Sequence, residues 1–60
     1  MNERTKRLLE LMEQHRLEVA DVAEILGRAP QTVRIWRSDN QVIPADALKL
    51  LELLIANRGK

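Results

Sequence analysis

Gly27 and Pro30 stand three positions apart, and on either side lie short stretches whose apolar residues recur at helical spacing. Glycine readily takes the left-handed conformation that ends a helix. Proline, with fixed φ and no N–H to lose, suits the first position of the next one. The two residues therefore read as a stop and a start, and Pro30 begins a helix instead of breaking one. Such a chain must pack two short helices against each other across Gly27, Arg28 and Ala29. Ala23, four positions before Gly27, supplies the small side chain that a close backbone approach at this turn requires.

The helix before the turn is expected over residues 19–26, with Val22, Ile25 and Leu26 on its buried side. Leu17 and Val22 have the spacing of a hydrophobic staple around a cap at Glu18. The helix after the turn covers 30–37, and Val33 and Trp36 point back toward the core. Asn2 caps a first helix over roughly 3–14, whose Leu8, Leu11, Met12 and His15 share one side, and the sequence QHRL carries its turn. A last helix starts at Pro44, carries Asp46 in its first turn where the dipole favours a carboxylate, and runs to about Ala56. No segment alternates with period two for long enough to argue for a strand, and there is no internal repeat. Met1 and the tail Arg58-Gly59-Lys60 carry no pattern. The expected fold is a single all-α domain over residues 1–60, with four helices and five at most.

With 60 residues, folding removes only about 60% of the unfolded chain's surface from water, so a staple or partner is expected. There is no cysteine, which excludes disulfides, and His15 is the only histidine, which argues against a metal. Oligomerisation is the remaining common remedy. His15 reads as a helix-end residue. The pairs Glu10/Glu13 and Asp21/Glu24 read as solvated faces, and no glycine-rich phosphate loop is present. No enzyme, cofactor or small-molecule ligand is therefore expected. No apolar run has membrane-spanning length, and polar residues follow Met1 where a signal peptide would be apolar, so a soluble cytoplasmic protein is expected.

The segment LEVADVAEILGRAPQTVRIW resembles the helix-turn-helix of the Cro and repressor (lambda-repressor-like, XRE) family of small DNA-binding regulators. It matches at Leu17, Val22, Ala23, Ile25, Leu26, Gly27, Thr32, Val33 and Trp36. The resemblance implies a lambda-repressor-like domain with its helix-turn-helix at about 18–37. It also implies sequence-specific binding of double-stranded DNA as a homodimer, most simply by a prokaryotic or phage-encoded repressor of Cro type.

At 100° per residue, turning Val33 and Trp36 inward turns Gln31, Arg34, Ile35 and Ser38 outward, with Thr32 and Arg37 on the flanks. Arginine offers a fork to guanine, glutamine pairs with adenine, and an aliphatic group meets a thymine methyl. By the resemblance, the base contacts fall on Pro30, Gln31, Arg34 and Ile35. Thr32, Arg37, Ser38, Asn40 and Gln41 are assigned to phosphates, which fix register without reading sequence. The chain departs from the family at three positions. Val19 replaces a usual glutamine, leaving only its backbone N–H for a phosphate; Ala29 replaces a serine or threonine cap; and Arg28 replaces an apolar residue while adding charge near the DNA.

The net charge is only +1, so any attraction to a polyanion rests on where the charges lie. Glu10, Glu13, Glu18, Asp21 and Glu24 gather on the first two helices, away from Arg34 and Arg37. Glu18 and Asp21 are the awkward members, because the start of the second helix should also approach phosphate. The last helix is more apolar than one core-facing stripe requires, and Leu50, Leu53, Leu54 and Asn57 are assigned to a contact with a second copy. The competing reading is a protein-interaction or antitoxin-like module that uses the same helical shape without reading DNA.

Overall fold

The computed structural model describes residues 2–58, and side chains for 2–57. Met1, Gly59 and Lys60, read above as patternless ends, lie outside the described residues. Four helices follow in order: α1 (Glu3–Gln14), α2 (Val19–Leu26), α3 (Pro30–Arg37) and α4 (Ala45–Arg58). Among the described residues there is no strand.

Local chemistry sets most of the boundaries. The Asn2 side chain accepts the Arg4 N–H at 2.8 Å and so caps α1. At the other end, Leu17 N–H reaches the Met12 carbonyl at 2.7 Å and Arg16 N–H the Glu13 carbonyl at 3.2 Å. This closure needs a left-handed residue, and Arg16 supplies it at φ 53° where glycine would be relaxed. His15 caps the helix and is exposed, so it leaves the apolar stripe in which its spacing had placed it.

The end of α2 closes in the same way. Gly27 stands at φ 67°, its N–H donates to Glu24, and Arg28 N–H donates to the Ala23 carbonyl at 2.9 Å. A Cβ at Gly27 would meet nothing within 4 Å. The cost of Gly27→Ala is therefore backbone strain alone, about 1–2 kcal/mol. Thermal unfolding followed by circular dichroism should show the midpoint falling by roughly 4–8 °C per kcal/mol.

Pro30 occupies the first position of α3, and the carbonyl of Ala29 accepts from Thr32 and Val33 at 3.0 and 3.4 Å. Ala29 gives no side-chain cap, a loss of about 1 kcal/mol relative to serine or threonine. Pro44 does not repeat this arrangement. Its carbonyl accepts the Leu48 N–H at 3.0 Å, so Pro44 stands one position ahead of α4, and Ala45 is the first helical residue. The preceding carbonyl, that of Ile43, accepts Arg4 Nη1 at 3.2 Å, a bond across the fold that no local start signal contains. The helix also runs two residues past the expected end at Ala56, to Arg58.

One core joins all four helices. Leu8, Leu11 and Met12 of α1, Val19, Val22 and Ala23 of α2, Val33 and Trp36 of α3, and Ala47, Leu48, Leu51 and Ile55 of α4 are buried around Ile43. Helix α2 lies against both α3 and α4, and α1 packs on the same two helices. Ile25 and Leu26, expected inside, are only half-buried at the margin of this core, while the Val19 side chain is 9% exposed and belongs to it. The stripe on α2 therefore runs through Val19, Val22 and Ala23, starting at the first residue of the helix and thinning toward the turn, while Glu18 and Ala20 beside Val19 stay exposed.

Candidate nucleic-acid interface

Helix α3 is two turns long, and its orientation is fixed by what it buries. Val33 is wholly buried and Trp36 is 4% exposed, so the helix cannot roll without opening the core. With that side held, Pro30, Gln31, Arg34 and Arg37 are exposed, and Thr32 and Ile35 are half-buried. Ile35 lies outside the core cluster. The expected outward set is thus brought together on one side of α3, beside the turn that carries Arg28, whose side chain is also exposed.

A groove of about 370 Å³ runs between this helix and the start of α2. Leu17, Glu18, Val19 and Ala20 form one wall, and Arg34 and Arg37 form the other. The Asp21 carboxylate turns back on its own helix, where its Oδ2 accepts the Glu18 N–H at 2.8 Å in a capping box. This answers half of the difficulty posed by the two carboxylates, since Asp21 is engaged at the cap while Glu18 still lines the groove. The N–H groups of Val19 and Ala20 make no hydrogen bond among the described residues. An anion here would meet unpaired backbone donors, the positive end of the α2 dipole and two guanidinium groups. Glu18 opposes it on the α2 wall, so the positive charge of the groove lies along α3.

Among the described residues the single ion pair is Arg7–Glu52 at 2.8 Å, which joins α1 to α4. Arg28, Arg34 and Arg37 have no carboxylate within ion-pair distance among those residues. Their charges are therefore uncompensated at short range, although the chain as a whole is nearly neutral. Ser38 follows α3 and donates its hydroxyl to the Ile35 carbonyl at 3.0 Å, so a phosphate contact through that proton requires this bond to be exchanged. Asn40 and Gln41 are exposed in the connection to α4.

Two residues near this surface were not anticipated from the sequence. Thr5 is fully buried, and its hydroxyl donates to Asp39 Oδ1 at 2.6 Å. Thr5, Leu8 and Met12 fall at positions i, i+3 and i+7, which is a signal for burial of Thr5. Nothing in the sequence names Asp39 as its acceptor.

On α4, Leu50 is 46% and Leu53 56% exposed, Leu54 is half-buried and Asn57 is exposed. The leucines of α4 therefore do not all close the core of one copy.

These features define a small all-α domain with a cationic, partly apolar helix surface and a separate leucine-bearing surface on its last helix. Compared with protein-family models, curated proteins and solved structures, the chain matches none. Among the described residues no helix is long and apolar enough to cross a membrane.

Proposed function

We propose that this protein is a non-catalytic, sequence-specific regulator that binds double-stranded DNA with α3 in the major groove, and that it acts most simply as a cytoplasmic repressor of Cro type. The observation that carries this reading is the fixed presentation of α3. Val33 and Trp36 anchor one side, while Gln31, Arg34 and Ile35 stand together on the other, Arg34 without an ion-pair partner among the described residues. Gln31 and Arg34 supply the hydrogen-bonding groups that distinguish base edges, and Ile35 supplies an apolar surface for a thymine methyl. Arg37, Thr32, Asn40, Gln41 and the Val19 N–H would hold the sugar-phosphate backbone, with Arg28 adding charge at the turn.

Selection of bound sequences from random duplexes, repeated over a salt series, tests the reading. Enrichment of a defined sequence and a steep loss of affinity with salt are expected, because phosphate neutralisation releases counterions. Absence of enrichment together with salt-indifferent affinity would defeat it.

A two-turn helix contacts few base pairs, so a second copy is part of the proposal. Two copies of a molecule measuring 33 × 22 × 20 Å are of a size to set their reading helices one duplex turn apart, roughly 34 Å. Leu50, Leu53, Leu54 and Asn57 are the proposed contact, and the exposure of Leu50 and Leu53 supports it. Leu53→Glu should give a folded monomer in sedimentation equilibrium at concentrations where the parent is dimeric, because the site lies outside the core. An unchanged dimer would move the contact elsewhere. The same exposed leucines favour the alternative reading, an interaction or antitoxin-like module. In that case alanine at Gln31 and Arg34 would leave function intact.

A further inference from the structure

Asp39 occupies a position that suits it poorly on two counts. Its φ of 66° lies in the left-handed region, where glycine is the relaxed choice. It also places a carboxylate just beyond the C-terminus of α3, where the helix dipole favours a cation. What the side chain gains is the buried Thr5 hydroxyl, which donates to Asp39 Oδ1 at 2.6 Å, a length characteristic of a charge-assisted bond. The neighbouring residue of α1, Arg4, reaches the far end of the same connection and donates to the Ile43 carbonyl at 3.2 Å. The link between α3 and α4 is therefore tied to α1 at both ends, with Asn40 and Gln41 exposed between the ties.

We infer that Thr5 and Asp39 are positioning residues for DNA binding, and that their hydrogen bond holds the segment carrying Asn40 and Gln41 where it meets the duplex backbone. This inference rests on the DNA-binding reading above. It assigns a functional role to a side chain of α1 that touches no DNA. Removing the bond frees the segment while leaving α3 itself anchored by Val33 and Trp36. The loss should therefore fall on phosphate contacts and weaken all duplex sequences alike.

Four variants of the full chain separate this role from folding and from charge. Thr5→Val keeps shape and charge but removes the donor, and Thr5→Ser restores it. Asp39→Gly relaxes the backbone but removes the acceptor, and Asp39→Asn keeps an acceptor oxygen while removing the charge. All are compared at a temperature where circular dichroism shows each fully folded.

The expected result is that Thr5→Val and Asp39→Gly lose roughly tenfold in affinity for every duplex tested, with a shallower salt dependence, as fits loss of one or two phosphate contacts. Thr5→Ser and Asp39→Asn should bind as the parent or better. A loss in Asp39→Gly runs against electrostatics, since removing a carboxylate beside a phosphate favours binding on charge grounds alone. In the free protein, backbone ¹⁵N order parameters at Asn40 and Gln41 should fall in Thr5→Val and recover in Thr5→Ser. Parent-like affinity of Thr5→Val and Asp39→Gly, or unchanged order parameters, would overturn the inference. If the parent itself shows no salt-dependent DNA binding, the functional reading fails, and the order parameters decide the positioning of the segment independently.

Discussion

Trp36→Ala is expected to leave the protein largely unfolded at 25 °C. The indole is 4% exposed and belongs, with Val33, to the side of α3 that enters the core. Truncating a buried tryptophan to alanine costs about 3–5 kcal/mol, the sum of lost transfer free energy and the cavity left behind. A core in a chain of 60 residues rarely supplies more than about 3–5 kcal/mol in total, so the two quantities are comparable. Far-ultraviolet circular dichroism should show loss of helical signal and of a cooperative thermal transition. A variant that retains both, with its midpoint lowered by less than about 10 °C, would show that the side chain contributes much less than its burial indicates. The chain has one tryptophan, so its fluorescence in the parent reports directly on opening of this part of the core. Because the same side chain sets which residues of α3 face outward, the proposed DNA binding should disappear together with folding.

Arg34→Ala is expected to do the opposite: it should leave folding intact and damage recognition. Arg34 is exposed and makes no ion pair among the described residues, so its removal should change stability by no more than about 0.5 kcal/mol. Under the proposed function its guanidinium pairs with a base edge, and its loss should cost about 1–3 kcal/mol in binding and relax preference at one base pair. Arg37→Ala provides the control. It lies on the flank of the same helix and in the same groove, but is assigned to phosphate. It should weaken all duplex sequences similarly and reduce the magnitude of the salt slope by about 1. Titration against the selected duplex and against single-base variants of it distinguishes the two patterns. If Arg34→Ala weakens every sequence equally, Arg34 is a phosphate contact, and base reading rests on Gln31 and Ile35 alone.

The two effects differ in kind because they act on different links of the same chain of causes. Trp36 carries sequence into packing, and packing sets the orientation of α3. Arg34, under the proposed function, carries that orientation into contact. Gly27 lies upstream of both, since it permits the turn through which α2 and α3 meet.

Much of the architecture was legible along the chain because it depends on local rules. Asn2, Glu18, Gly27 and Pro30 each act within a few residues of themselves, through a cap, a left-handed turn or a fixed φ, and their helices begin and end where those rules place them. Pro44 followed the same sequence rule and yet stands one position outside its helix. There the Ile43 carbonyl accepts a hydrogen bond from Arg4, 39 residues earlier, a partner outside the reach of any local rule. Burial was read well where spacing was decisive, as for Leu8, Leu11, Met12, Val33 and Trp36. It was read less well for Ile25 and Leu26, which have the right period but lie at the margin of the core, only half-buried. The outward set on α3 followed from Val33 and Trp36 by helical geometry. The groove did not, because its walls come from two helices and the space between them depends on how those helices pack.

By itself the sequence determined four helices, the turn between α2 and α3, and the side of α3 that carries Gln31, Arg34 and Ile35. These follow from backbone preferences and the 3.6-residue period, which act over one or two turns. Tertiary structure alone decided that the start of α2 faces Arg34 and Arg37 across a groove and that Thr5 meets Asp39. Those juxtapositions depend on where whole helices come to rest when one small core is closed, and no local rule contains that information.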